Sequence, residues 1–197
     1  MIAKTFSSTC LAILLLIAFF PMITLAQLVL GDVQTIENFS LEDYDGNNHS
    51  LSDYKDSVAI LIIFIATECP VSNDYNERME NLYKEYREKG IAFIGINSNK
   101  AEDVERIRNH AKKNRLTFTI LKDLQNIVAD LFEASFTPEA YVLNGDHEVM
   151  YHGRIDNSRN KSNISVQDLK NALDEILKGM TVTKPRTKAF GCTIKRV

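Results

Sequence analysis

The chain has 197 residues, with 26 Asp and Glu against 23 Lys and Arg, a formal net charge of −3. That mild acidity excludes the basic stripe of a nucleic-acid binder, and no nucleic-acid partner is expected. The length suits one domain with a substantial hydrophobic core, and no internal repeat or low-complexity stretch divides it.

The N-terminus has the three parts of a secretory signal. Met1 to Lys4 carries one positive charge, and Leu11 to Ala26 is apolar apart from Thr24 and a break at Pro21. Thr24 and Ala26 supply small residues at −3 and −1 of a cut before Gln27. A bilayer crossing needs roughly 20 apolar residues; this run has sixteen. Residues 1–26 are therefore expected to be a cleaved signal peptide, and the mature chain periplasmic or secreted. An uncleaved signal would be its only tie to a membrane. Cys10 precedes the apolar run and does not suit a lipoprotein, so the mature chain keeps two cysteines, Cys69 and Cys192. An oxidising compartment allows such a pair to form a disulfide. Two cysteines are too few to build the scaffold of a chain this long.

Phe39 to Tyr44 alternates apolar and polar residues, and Asp45-Gly46 turns the chain back toward Leu51, a hairpin signal. Val58 to Ala66 is a continuous apolar, β-branched run, as in a strand covered on both faces. After Thr67-Glu68-Cys69-Pro70-Val71-Ser72 comes an amphipathic helix to Lys89, with Tyr75, Met79, Leu82 and Tyr86 on one face and Gly90 at its end. Ile91 to Ile96 predicts a second buried strand. Val104, Ile107 and Ala111 mark a helix over roughly Ala101 to Asn114. A strand near Phe118 to Leu121 and a helix near Asn126 to Phe132 follow. Thr137-Pro138 leads into a strand at Ala140 to Leu143, a turn at Asn144-Gly145-Asp146, and a strand through Val149 to Arg154. Ser165 to Asp168 resembles a capping box. It opens a last helix with Val166, Leu169, Leu173, Ile176 and Leu177 on one face, closed by Gly179. The expected domain is 27–179, followed by a tail, 180–197, that carries Cys192. From Lys178 onward there are six basic residues and no acidic one.

This order predicts an α/β sandwich, a central mixed sheet flanked by helices. It suits a thioredoxin-like fold with an added N-terminal β-hairpin; periodicity alone leaves a flavodoxin-like sheet open.

Cys69 is placed where a buried strand gives way to a helix. Helix N-termini present unpaired N–H groups and the positive end of the dipole. A cysteine there has its pKa lowered from about 8.5, and the thiolate is the nucleophile in thiol chemistry. Pro70 suits a first helical turn, where a missing N–H is no loss. Glu68 opposes the effect as a neighbouring negative charge. The expected sulfur stands at the helix tip, open to solvent and readily ionised; a buried, inert cysteine is the alternative.

Phe64-Ile-Ala-Thr-Glu-Cys-Pro-Val-Ser72 resembles the thioredoxin-type segment Phe-Trp-Ala-x-Trp-Cys-x-x-Cys, with Cys69 on the attacking cysteine and Ser72 on the second one. More widely, Asn38 to Val197 resembles the alkyl hydroperoxide reductase and thiol-specific antioxidant (AhpC/TSA) family, and within it a peroxiredoxin-like subgroup. Five features carry the resemblance: Cys69-Pro70, Gly95 to Asn99, Thr137-Pro138, Gly153 to Asp156, and Gly191 to Lys195. It implies a thiol oxidoreductase or antioxidant with Cys69 as nucleophile, Thr67, Pro70, Ser72, Thr137, Pro138 and Arg154 as supporting residues, and no cofactor. It also implies that Thr137-Pro138 is a cis-proline loop packed against the active cysteine. Ser72 cannot close a Cys-x-x-Cys disulfide. Thr67 stands two residues before Cys69, where a typical peroxiredoxin has its threonine three before, and Thr137-Pro138 occupies the approach of the peroxide-polarising arginine.

Cys192, if it reaches Cys69, would resolve a sulfenic acid or mixed disulfide, with Lys188, Lys195 and Arg196 favouring its thiolate. Otherwise it is a free or intermolecular cysteine. Arg154 either lies near the sulfur or pairs with Asp156. His49, His110, His147 and His152 show no metal-ligand spacing, and a copper carrier would want a second cysteine in the loop. The expected partners are a protein thiol or disulfide, or a small peroxide, together with a separate thiol reductant. The competing reading is a redox-inactive thioredoxin-fold module that holds a partner protein.

Overall fold

The structure, a computed structural model, describes residues 33–197; the expected signal peptide and its cleavage site lie outside them. Among the described residues no helix is long and apolar enough to cross a membrane.

Residues Ser40–Asp43 (β1) and Asn48–Ser50 (β2) form the expected hairpin, with Leu41 opposite His49. The Asp43 carboxylate holds its turn, accepting the N–H groups of Asp45 and Asn47 at 2.8 and 2.9 Å. The long apolar run becomes Ala59–Phe64 (β3), every residue of it buried. It lies beside Ile91–Asn97 (β4), which runs parallel to it, and Thr119–Lys122 (β5) continues the parallel pairing. On its other side β3 pairs antiparallel with Glu139–Leu143 (β7), which pairs antiparallel with Val149–Gly153 (β8). The full order is β2-β1-β5-β4-β3-β7-β8. Antiparallel strands flank the parallel centre on both sides, β7-β8 beside β3 and the β1-β2 hairpin beside β5, and separate this sheet from a flavodoxin-like one. It is the thioredoxin-like arrangement with the predicted hairpin added.

Alternation along β3 divides the core in two. Leu61 and Ile63 face Asn76–Tyr86 (α2), Val104–Asn114 (α3) and Asp168–Leu177 (α5), whose Met79, Ile107 and Leu173 are buried. Ile60, Ile62 and Phe64 face Ile127–Leu131 (α4), Phe132, the N-terminal Ile36 and Ile194 of the tail.

Several expectations need local correction. The helix after Cys69 is not continuous: Pro70–Asp74 (α1) ends at Tyr75, whose φ of −94° and ψ of −8° break the turn before α2 starts. α3 begins at Val104, capped by Asp103, whose carboxylate accepts the Arg106 N–H at 2.8 Å. Val104 itself is exposed there. The capping box at Ser165 does not form. Asn157 takes the Ser165 and Val166 amides, Val166 is exposed, and α5 starts after Gln167 with Asp168 turned inward.

The tail is the largest addition to the sequence-based picture. Pro185 to Thr187 runs along β8, with the His152 N–H donating to the Pro185 carbonyl at 2.9 Å and Thr187 N–H to the His152 carbonyl at 2.9 Å. Cys192–Thr193 (β9) then pairs antiparallel with Phe136–Thr137 (β6) in a second, two-stranded sheet. Gly153 makes the first docking possible. Its φ is +152°, and a Cβ there would stand 2.0 Å from Thr187 Oγ1. Thr187 Oγ1 also accepts the Arg154 N–H at 3.0 Å, so it has little freedom to retreat. Gly153→Ala is expected to cost about 2–4 kcal/mol of stability, from strain and overpacking together, read by urea denaturation; an unchanged midpoint would show that the tail does not depend on this contact.

Candidate active site

The chain leaving β3 must satisfy its backbone before it can present a side chain. Ile65 N–H still reaches across to the Ile96 carbonyl at 2.9 Å. Ala66 N–H then donates to Ser72 Oγ at 3.1 Å. Thr67 and Glu68 N–H groups both donate to the Glu102 carboxylate, at 2.6 and 3.2 Å, and Asn73 Nδ2 donates to the Thr67 carbonyl at 3.0 Å. Every backbone N–H from Ile65 to Glu68 thus has a partner, and the loop is fixed when it delivers Cys69.

Cys69 is the N-cap of α1, in extended conformation, with Pro70 at the first helical position as expected. Its Sγ accepts the Ser72 N–H at 3.3 Å. Ser72 is fully buried, and in place of a second cysteine it offers its N–H to the sulfur and its hydroxyl oxygen to Ala66. The Glu68 carboxylate, expected to oppose ionisation, is bonded to Arg106.

Thr137-Pro138 is a cis peptide, as the family resemblance implies. The Thr137 carbonyl oxygen lies 3.4 Å from Cys69 Sγ. Along the same short strand, Thr137 stands opposite Cys192, and its Oγ1 donates to the Cys192 carbonyl at 3.5 Å. Cys192 is disulfide-bonded to Cys69, with their Cα atoms 6.0 Å apart. The sulfur is therefore not open to solvent, as expected from a helix tip, but covered: Cys69 is 5% exposed, and Cys192 is half-buried above it. The cause is the tail, whose strand no periodicity announces.

The tail is held on both sides of Cys192. Ile194 is buried, and its N–H donates to the Ser135 carbonyl at 3.0 Å. Lys195 N–H donates to Asn99 Oδ1 at 2.9 Å and Val197 N–H to Asn126 Oδ1 at 2.8 Å. Arg196, expected to favour the Cys192 thiolate, pairs instead with Asp130 at 2.8 Å, and Lys195 Nζ donates to Thr193 Oγ1 at 3.2 Å. On the other side Gly191 passes so close to Thr137 that a Cβ would stand 2.1 Å from its carbonyl oxygen.

Arg154 does not pair with Asp156. Its Nε donates to Asp168 at 2.7 Å, and Asp168 also takes Lys184 of the tail at 2.8 Å. Burial pushes the Asp168 carboxyl up, but the Arg154 and Lys184 bonds outweigh it and hold the group below the usual carboxylate range. Asp156 is occupied by Tyr75 and Arg78, at 2.9 and 2.7 Å.

Two buried carboxylates, Glu102 and Glu139, shape the site and carry no mark in the sequence. Glu102 falls in what reads as the polar first turn of the predicted helix, and Glu139 just ahead of a predicted strand. The Gly95 to Asn99 segment was legible, and its role now has a physical basis. Asn97 Nδ2 donates to Glu102 at 2.5 Å, while Asn97 Oδ1 accepts buried Lys122 at 3.2 Å. Burial lowers the Lys122 pKa, with Glu102 and Asp123 opposing. Among the described residues no three His, Cys, Asp or Glu side chains are grouped to hold a metal.

Residues 33–152 match the AhpC/TSA family. The chain belongs to the AhpC/TSA family. The matched segment includes Cys69 and Thr137-Pro138. Similar proteins include a chloroplastic peroxiredoxin Q of Triticum aestivum, 33% identical over 121 residues, 58% of this chain and 54% of that protein. Another is the thiol-disulfide oxidoreductase ResA of Halalkalibacterium halodurans, 28% identical over 113 residues, 57% of this chain and 62% of that protein. The chain thus spans little more than half the length of the wheat relative. Among solved structures, a hypothetical protein, SMc02350, from Sinorhizobium meliloti 1021 aligns with a TM-score of 0.78 at 32% identity, covering 84% of this chain and 94% of that one. Peroxidoxin BcpB of Mycobacterium tuberculosis shares the fold, with a TM-score of 0.56 at 19% identity, over 75% of this chain and 96% of that one.

Glu102→Ala would leave the Thr67 and Glu68 amides without their acceptor. A loss of about 3 kcal/mol of unfolding free energy is expected, partly restored in Glu102→Gln; equal stability of Glu102→Ala and the parent would remove Glu102 from this role.

Proposed function

We propose that the protein is an exported thiol oxidoreductase in which Cys69 is the nucleophile and Cys192 the resolving cysteine. The observation that carries this is the bond between a helix N-cap cysteine and a cysteine on a separately anchored strand. Only an arrangement of this kind lets a chain with Ser72 at the second-cysteine position finish an exchange within itself.

With a disulfide substrate, the Cys69 thiolate attacks one sulfur and expels the other as a thiolate. Cys192 then attacks Cys69 Sγ of the mixed disulfide, and the substrate's remaining sulfur leaves as a thiol. With a peroxide, Cys69 takes the terminal oxygen to become a sulfenic acid, and the alkoxide or hydroxide leaves and is protonated. Cys192 condenses with that sulfenic acid, releasing water. Both routes end in the Cys69–Cys192 disulfide, and a separate thiol reductant must return two electrons. Attack by that reductant is favoured at Cys192, the more exposed of the two residues. It expels Cys69 as a thiolate onto the Ser72 N–H, and a leaving thiol of lower pKa departs faster. The names of the wheat and Halalkalibacterium relatives span both substrate classes. The missing peroxidase threonine spacing and the Thr137-Pro138 loop favour disulfide exchange.

Export is supported by the signal-like residues 1–26 and by a disulfide that an oxidising compartment would preserve. One observation favours the alternative, a module that holds a partner without turnover: oxidised Cys69 is covered.

Cys69→Ser separates the two. Turnover of a model disulfide or of hydrogen peroxide with dithiothreitol as reductant is expected to vanish. Cys192→Ser should slow turnover severely and let a Cys69 adduct, a mixed disulfide or sulfenic acid, be trapped and weighed by mass spectrometry. In reduced protein, the Cys69 alkylation rate should titrate below the free-cysteine value of about 8.5. Unimpaired turnover in Cys69→Ser, or a Cys69 pKa at or above that value, would leave only the binding module.

A further inference from the structure

The tail meets the body at several places, among them Lys100, whose N–H donates to the Lys195 carbonyl at 2.8 Å; at the two contacts nearest the cis-proline, a single buried side chain is bonded to the backbone of one segment and to the side chain of the other. Ser135 to Thr137 receives the strand that bears Cys192, through Ile194 N–H and the Thr137 pairing. His152 receives the approach to it, through the Pro185 carbonyl and Thr187 N–H. Glu139 is 4% exposed and follows the cis-proline directly. Its Oε2 accepts the N–H groups of Ser135 and Phe136, each at 2.8 Å. Its Oε1 accepts the Tyr141 hydroxyl at 3.3 Å and lies 2.6 Å from His152 Nε2. The His152 ring also stacks on Tyr141, 4.2 Å between centroids and 12° between planes. The carboxylate therefore curls the chain before Thr137, so that its other edge faces the tail, and at the same time locks the side chain of the residue whose backbone carries the tail's first contact. A β-bridge of two residues has little stability of its own; what holds Cys192 at Cys69 is the shape of the surface it lies on.

We propose that Glu139 is a positioning residue that sets how readily the Cys69–Cys192 disulfide forms, by fixing two of the segments on which the tail is laid, those on either side of the cis-proline strand; as a statement about catalysis this rests on Cys69 and Cys192 being the working couple. Glu139 does no chemistry itself. It raises the effective concentration of one thiol at the other, the quantity that decides an intramolecular exchange. Glu102 does the corresponding work for the Cys69 loop, so the two halves of the couple are set by two separate carboxylates.

The test is the equilibrium between the reduced protein with oxidised glutathione and the disulfide form with two reduced glutathiones, measured on the full-length protein by thiol trapping. Destabilising oxidised and reduced forms alike leaves this constant unchanged, so a merely structural role would not move it. Glu139→Ala is expected to lower it about tenfold, about 30 mV in midpoint potential. Glu139→Gln, which keeps an oxygen for the two amides, should recover most of the loss. A change in Glu139→Ala of less than about threefold would overturn the proposal. His152→Ala, which leaves Glu139 its two amides, should weaken the couple in the same direction and stands in if Glu139→Ala does not fold; a parent-like value there would then overturn it. A second readout needs no redox activity. In a Cys192→Ser background, hydrogen exchange at the Thr187 and Ile194 amides should speed up about tenfold on adding Glu139→Ala, relative to amides of β3. Unchanged exchange counts against Glu139 even if the parent disulfide proves closed to every thiol reductant, a result that would instead defeat the redox function.

Discussion

The Cys69–Cys192 bond joins positions 123 residues apart, and most of what is unusual about the site follows from how that joint is made. On the chain-entropy view, closing a loop of this size removes about 5 kcal/mol of freedom from the unfolded chain. That is comparable to the whole stability of a small domain. The tail would otherwise depend on a two-residue strand, the buried Val182, Ala189 and Ile194, the Lys184 and Arg196 ion pairs and a few backbone contacts. With the bond made, the tail becomes a wall of the site and buries the sulfur it is bonded to.

Buried carboxylates do much of the remaining structural work, each with a different task. Glu102 collects the amides ahead of Cys69, Glu139 collects those ahead of Thr137, and Asp168 gathers Arg154 and Lys184 where the tail leaves α5. A buried carboxylate is tolerated only when its oxygens are fully used, and these are. For Glu139, burial pushes the pKa up, but the His152 bond and the two amides more than offset it, so the group is held below its ordinary value. This contribution is complete above the ordinary glutamate range and is lost as the pH falls through the lowered pKa. Such groups tie distant backbone segments together rigidly, which suits a couple whose two sulfurs arrive from opposite ends of the domain.

Much of the fold was legible because it rests on local pattern. Nine consecutive apolar residues, Val58 to Ala66, can only be a strand covered on both faces or a buried helix, and the turn signals around them decide for strand. Asp45-Gly46 announced the hairpin, Gly90 the end of the helix that precedes β4, and Cys69-Pro70 the start of α1. Errors fell where a side chain had a distant partner. Ser165 looks like a cap until Asn157 claims its amide, and the sequence offers Arg154 the sulfur or Asp156, whereas Asp168 holds it.

What the sequence determined by itself was the order of strands and helices, the strand-to-helix junction that carries Cys69, and the family, since each is written in contiguous residues or short motifs. The tertiary structure alone decided that Cys192 lies on Cys69, that two glutamates support the loops on either side, and that the sulfur is covered. Those facts depend on contacts between residues about 35 to 120 positions apart in the chain, or on a carboxylate's burial, and no local periodicity records either.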